Sequence, residues 1–261
     1  MRLFALLTVC SAIFLASAAD REWSKQYSVS SKPELIVRTG DGSIDIRRGT
    51  PGRIEARVTM QGWEIGPSGV RIDESQTGDR VQIEVRLPKT NWHGDGHRSV
   101  RVELRVPDSL RADIKTGDGA VLADGISGDL RIRTGDGRIE VTGLDGSLDA
   151  ETGDGGMKLR GRFDALRAKS GDGSIEAEVA RGSRMTGLWE IRTGDGSVTL
   201  RLPDGFAADL DANSGDGKVT VDMPLTVTGQ LRESGARGKL NGGGPPLTIH
   251  TGDGSVRIAR I

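Results

Sequence analysis

The chain has 261 residues, a formal net charge of −1, 35% hydrophobic but only 3% aromatic residues, and a single cysteine. Near-neutral charge gives no electrostatic footing for nucleic acid or for an anionic membrane surface. So few large rings argue against a wide globular core and for a thin one filled by Val, Ile, Leu and Ala.

The N-terminus reads as an address label. Arg2 precedes an apolar run over residues 3–15, and Ala16-Ser17-Ala18 offers a small-residue cleavage site, so residues 1–19 are expected to be a secretory signal peptide. The run falls short of the ~20 apolar residues of a membrane span, and no later stretch is long and apolar enough to be one. Cys10 lies inside this segment, preceded by Val9 rather than the small residue a lipoprotein site needs. The mature chain is therefore expected to be exported, to the periplasm or to the cell surface, and to use no disulfides.

Residues 20–111 form a first, less regular part. Leu35, Val37, Ile44 and Ile46 alternate with polar residues around Thr39-Gly40-Asp41-Gly42. Longer alternating runs follow at 54–60, 70–73, 81–87 and 100–106, with turn signals between them. They predict antiparallel hairpins that extend or cap one end of a repeat array, because an uncapped end invites edge-to-edge self-association. His93-Gly94-Asp95-Gly96-His97 lies at one such hairpin tip; two histidines and a carboxylate can begin a zinc site, but no fourth ligand is suggested nearby.

Residues 112–261 are dominated by Thr/Ser-Gly-Asp-Gly. Eight copies begin at Thr39, Thr116, Thr134, Thr152, Ser170, Thr193, Ser214 and Thr251, with a spacing of 18 from Thr116 to Ser170 and then of 23 and 21. Ser234-Gly235-Ala236-Arg237-Gly238 reads as a degenerate further copy. A short fixed period marks a repeat fold whose units are stable only when stacked. One unit, residues 130–147, shows Leu130 and Ile132 alternating with arginines before the turn, and Ile139 and Val141 alternating after it. Gly143-Leu144-Asp145-Gly146 supplies a second turn, so the unit reads as two short strands and two corners, with glycine chosen because it accepts positive φ.

A β-solenoid and a meander of hairpins both fit this pattern. Outer charges favour the solenoid, in which equivalent residues of neighbouring coils touch. Three residues before each Thr/Ser the series runs Asp113, Arg131, Asp149, Arg167, Glu190, Asp211, with signs alternating almost throughout. The predicted fold is all-β: a β-solenoid of 18–23-residue coils with an N-terminal antiparallel extension or cap. The final strand pattern, 255–261, leaves the opposite end guarded only by arginines.

Stacked coils would align Asp41, Asp118, Asp136, Asp154, Asp172, Asp195, Asp216 and Asp253. Calcium bridging by Asp118, Asp136, Asp154, Asp172, Asp195 and Asp216 is one way to offset their mutual repulsion. Turn chemistry, in which each carboxylate accepts local N–H groups and faces solvent, is the other and is favoured. The parity of Thr134 with Ile132 points its hydroxyl inward, against an ice-binding face. No nucleophile triad is recognisable, and no cofactor is implied. A carboxylate-based polysaccharide enzyme on a β-helix remains an alternative to a non-enzymatic module, as does a calcium-stabilised structural repeat.

The Thr-Gly-Asp-Gly-Ser-Ile/Val core at residues 39–44, 193–198 and 251–256, the Val106-Pro107 step and the signal peptide resemble a bacterial family of exported β-strand repeats. It is a domain of unknown function usually labelled a putative adhesin. The resemblance covers roughly residues 35–261 and implies an exported β-solenoid-like domain with no catalytic residues to carry over. The signal peptide, the repeat and the missing catalytic constellation point to a non-enzymatic cell-envelope binding or scaffold module whose partner is an envelope protein or glycan.

Overall fold

The computed structural model describes residues 21–30, 32–88, 98–227 and 232–261, and the described residues contain strands and no helix. The expected signal peptide and the 93–97 histidine motif lie outside them. The strands β1 (Glu22–Ser28), β2 (Glu34–Thr39), β3 (Ser43–Arg48), β4 (Arg53–Gln61), β5 (Arg71–Thr77), β6 (Arg80–Arg86) and β7 (Ser99–Val106) come first. The regular repeats supply β8 (Ser109–Lys115), β9 (Val121–Asp124), β10 (Ser127–Arg133), β11 (Ile139–Glu151), β12 (Met157–Lys169), β13 (Ile175–Val179), β14 (Trp189–Thr193) and β15 (Val198–Leu202). They are followed by β16 (Ala208–Ser214), β17 (Val219–Asp222), β18 (Leu225–Val227), β19 (Gly235–Leu240), β20 (Pro246–Thr251) and β21 (Val256–Arg260).

The chain winds between two faces, crossing from one to the other at each Thr/Ser-Gly-Asp-Gly corner. Face one is ordered β5, β6, β2, β8, β10, the end of β11, the end of β12, β14, β20, β16, β19, β18. Face two is ordered β1, β4, β7, β3, β9, the start of β11, the start of β12, β13, β15, β21, β17. From β6 to β16 and from β7 to β17 every neighbour is parallel, with Ile139 beside Met157 and Met157 beside Ile175, an offset of 18. Antiparallel strands lie outside that run: β5, β1 and β4 at one end, β19 and β18 at the other.

Alternation dictates this arrangement. Side chains point to opposite sides of a strand in turn, so Ile132, Ala150, Ala168, Ile191 and Ile249 form one inward column in register. All are fully buried, and one hydrophobic core runs from Tyr27 to Ile258. Where it widens, Trp189 packs edge-on against Phe163 at 6.2 Å and tilted against Phe206 at 5.4 Å.

Four sequence expectations need correction. The coil β2–β3 is not the first of the stack: β6 and β7 form a parallel coil on one side of it and β8 and β9 on the other, so the 54–106 region is only partly antiparallel. The strand read as the exposed last element, β21, is paired on both sides, by β15 and by β17. The degenerate copy at 234–238 is no rung; it lies in β19, which runs antiparallel to β16 and has no return strand after it on face two. The second corner is not a separate turn in the regular repeats, because β11 and β12 continue through it as 13-residue strands with register shifts at Val141/Leu144 and Gly146/Ser147.

Candidate functional site

The eight tetrapeptide corners stack in the order Thr39, Thr116, Thr134, Thr152, Ser170, Thr193, Thr251, Ser214. From Thr116 onward each hydroxyl faces the core side of its turn and donates to carbonyls of the rung before it. Thr116 Oγ1 lies 2.8 Å from Gly40 O and 2.7 Å from Gly42 O; Thr251 Oγ1 lies 3.2 Å from Gly194 O and 2.7 Å from Gly196 O. The same oxygens accept from their own turns, as in Gly173 N to Ser170 Oγ at 3.0 Å and Gly217 N to Ser214 Oγ at 2.7 Å. First-glycine N–H groups donate rung to rung, Gly135 N to Gly117 O at 2.5 Å and Gly252 N to Gly194 O at 2.6 Å. A buried hydroxyl is costly only when unpaired, and here one oxygen serves its own turn and the next.

The glycines are required for a reason other than the expected one. None of the tetrapeptide glycines takes positive φ. A Cβ on Gly137 would overlap the carbonyl oxygen of Gly119, and one on Gly155 that of Gly137. Close approach of stacked backbones, not left-handed geometry, excludes a side chain there. Positive φ belongs to the other corner, at Gly125 (68°) and Gly143 (64°).

All eight corner aspartates are exposed. Their carboxylates lean over the next rung: a Cβ on Gly135 would meet Asp118 Oδ1 at 2.6 Å, and Asp136 Oδ1 accepts from Asp154 N at 3.3 Å. Among the described residues no group of three or more His, Cys, Asp or Glu is placed to hold a metal. Beside this row, one residue before each Thr/Ser on face one, runs a mainly basic series in register: Arg38, Lys115, Arg133, Glu151, Lys169, Arg192 and His250. The series is interrupted by Glu151, which pairs with Arg133, and ends at the uncharged Asn213 beside His250.

The next outer series alternates through ion pairs. Arg131 Nε is 3.0 Å from Asp149 Oδ2, and Arg167 Nε is 3.3 Å from Glu190 Oε2. Glu190 and Asp211, a like-charge step in sequence order, are separated by Thr248 of the intervening β20, and Asp211 pairs instead with Arg237. At the second corner Arg162 pairs with both Asp145 and Asp164; its hydrogen bond holds the Asp164 carboxyl below the usual carboxylate range. At the β1/β5 end Tyr27 is buried, with its hydroxyl 3.2 Å from Glu74 Oε2; burial first, then the Glu74 charge, push its pKa well up.

An open groove of about 750 Å³ crosses the outer side of β1, β4, β7 and β3. Arg57 pairs there with Glu22 at 2.8 Å and Arg47 with Asp45 at 2.8 Å, whereas Arg101 and Arg105 flank Glu103 along β7. Sequence reasoning passed over this groove. The alternation of Arg101, Glu103 and Arg105 was legible, but the pairing of β7 between β4 and β3 that surrounds it with charge was not.

Solved structures similar to this chain include a putative cell adhesion protein from Clostridium sporogenes, 14% identical, with a TM-score of 0.46, covering 92% of this chain and 100% of that one. A putative adhesin from Bacteroides fragilis is 12% identical, with a TM-score of 0.42, covering 93% of this chain and 98% of that one. A putative lipid binding protein from Parabacteroides distasonis is 11% identical, with a TM-score of 0.36, covering 91% and 96%. The comparison with curated proteins finds no match. The family described as Toastrack DUF4097 matches residues 31–259, nearly all of the chain, and the protein belongs to it.

Proposed function

We propose that the protein is an exported, non-enzymatic binding or scaffold module of the cell envelope, adhesin-like in that it presents a rigid charged surface to a protein or glycan. In this reading the coils of 18–23 residues form a β-solenoid and the antiparallel strands β1, β4 and β5 are its cap. The observation that carries the reading is the groove over β1, β4, β7 and β3, where Arg101 and Arg105 are exposed and have no ion-pair partner within 4 Å among the described residues. Arginine in a groove of mixed charge suits carboxylate, phosphate and amide groups of an extended ligand. Export is inferred from the N-terminal apolar run and its small-residue site. A glycan array and a pull-down from envelope extracts test the reading. A captured ligand lost on Arg101→Ala/Arg105→Ala supports it; two empty experiments, or capture indifferent to that double variant, sink it.

A second reading, calcium held along the corner row, is favoured by the exposed stacking of Asp118, Asp136, Asp154, Asp172, Asp195 and Asp216. A ligand that binds only the folded state raises its stability by mass action. Melting with calcium and with chelator decides: a calcium-dependent rise in Tm assigns the row to the metal, and coincident curves leave the carboxylates to turn chemistry.

A further inference from the structure

On the outer side of face two, charges in register meet opposite charges or neutral side chains at every described junction but one. Arg57 lies beside Glu103 and Glu55 beside Arg105; further along, Glu140 lies beside Lys158 and Lys158 beside Glu176. Between β7 and β3 the rule fails twice, because Glu103 lies directly beside Asp45, and Arg105 beside Arg47. Like charges directly opposite one another destabilise a strand pair. The core fixes this register, since a one-residue slip would turn the buried Val102, Leu104, Ile44 and Ile46 outward. It leaves the outer side chains free to take either sign, so the clash belongs to those side chains alone.

Both like-charge pairs line the groove over β1, β4, β7 and β3. Asp45 is engaged by Arg47, which donates to it through Nε at 2.9 Å and Nη2 at 2.8 Å. Glu103 and Arg105 make no ion pair within 4 Å among the described residues. Their opposite-sign neighbours on β4 are engaged elsewhere, Arg57 with Glu22 at 2.8 Å and Glu55 with Arg53 at 3.6 Å. The groove thus holds an anionic pair and a cationic pair, two residues or about 7 Å apart along the strands.

We propose that this groove binds an extended peptide carrying a basic and an acidic side chain at alternate positions. The basic one sits between Glu103 and Asp45, the acidic one between Arg105 and Arg47. Alternate side chains of an extended strand stand on one side about 7 Å apart, the same interval as the two pairs. Each contact is a charge-assisted bond, the stronger kind. An acidic glycan brings anions only and is repelled by Glu103 and Asp45, so the charge pattern selects a protein among the occupants. The inference rests on the reading of this groove as the binding surface and adds the class of its occupant.

The test titrates the intact protein at low salt into a labelled, end-capped threonine heptapeptide with lysine at its third position and glutamate at its fifth, read by fluorescence anisotropy. Saturable binding is expected, weakened about tenfold or more when both charged positions are lysine or both glutamate. Glu103→Gln and Arg105→Gln should each weaken it about tenfold; Glu178→Gln, on β13 of the same face, should not. Each of the first two variants removes one member of a like-charge pair, so each should be at least as stable as the parent in chemical denaturation. Loss of stability in step with loss of binding would assign the charges to the fold and overturn the site. So would equal binding of the one-sign peptides, or no saturation up to about a millimolar protein. Tighter binding of a labelled hyaluronan oligosaccharide than of the mixed-charge peptide would overturn the peptide assignment and leave the binding-module reading standing. Peptide binding as expected, beside an empty glycan array and pull-down, would overturn the envelope reading alone.

Discussion

Thr116 and Thr39 occupy the same place in the repeat but differ in what their hydroxyls meet: Thr116 Oγ1 has two carbonyls to donate to, and Thr39 Oγ1 has no hydrogen-bond partner among the described residues. Removing a satisfied buried donor strands its acceptors, at a cost of about 1–3 kcal/mol, whereas removing an unsatisfied one is near neutral or stabilising. Chemical denaturation should therefore show Thr116→Val destabilised by about 2 kcal/mol and Thr39→Val unchanged or slightly more stable. Equal losses in the two variants would mean the hydroxyls act only by filling space. Glycine makes a parallel case. Gly137→Ala forces a Cβ into the Gly119 carbonyl and should cost about 3 kcal/mol or more, since overpacking moves backbone that is held on both sides. Gly66 has open space around it and no positive φ, so Gly66→Ala should be neutral or gain a few tenths of a kcal/mol through the unfolded chain. If instead the two alanine variants melt together, close stacking is not what selects glycine at the rungs.

At the scale of strands, the outer series one step inside the basic row depends on which coil lies beside which. Thr248 of β20 stands between Glu190 of β14 and Asp211 of β16. Like charges directly opposite one another destabilise a strand pair, and opposite charges contribute a fraction of a kcal/mol at an exposed site. Thr248→Asp should lower stability by about 1 kcal/mol and Thr248→Lys raise it by a few tenths, both effects fading in high salt. A chain stacked in sequence order would set Glu190 against Asp211 and leave Thr248 indifferent to either change. Much of this was readable beforehand. Alternation around Leu130, Ile132, Ile139 and Val141 located strands and their buried sides, the parity of Thr134 placed its hydroxyl inward, and opposite charges at Arg131 and Asp149 indicated parallel stacking. The order of the coils was hidden because the rungs are chemically alike: any Thr-Gly-Asp-Gly turn presents the same donors and carbonyls to any other. The clue was the like-charge step from Glu190 to Asp211, the one place where alternation failed. Nor could the sequence separate a glycine needed for φ, such as Gly143, from one needed for close approach, such as Gly137. The orphan hydroxyl of Thr39 depends on coil order too, so it came to light only with the fold.

Taken as a whole, the molecule places its out-of-order coils in the interior. The coil β2–β3 sits between β6–β7 and β8–β9, and the coil β20–β21 between β14–β15 and β16–β17. The early strands β2 and β3 and the late strands β20 and β21 thus have partners on both sides. The edges fall to short or charged strands: β18 has three residues, β17 has four, and β1 carries Glu22 and Lys25 in ion pairs with Arg57 and Glu74. Short and charged edges discourage pairing with other chains. Many small opposing terms set the total stability, but local stability should follow this spatial order.

Native-state hydrogen exchange read strand by strand is the most direct test of that order. Amides in β20 and β21 should exchange as slowly as those in β12 and β13, and far more slowly than those in β17, β18 and β1, because opening an interior coil requires opening its neighbours. Rapid exchange in β20 and β21 with strong protection in β16 and β17 would place the coil at an edge and contradict the intercalated stack.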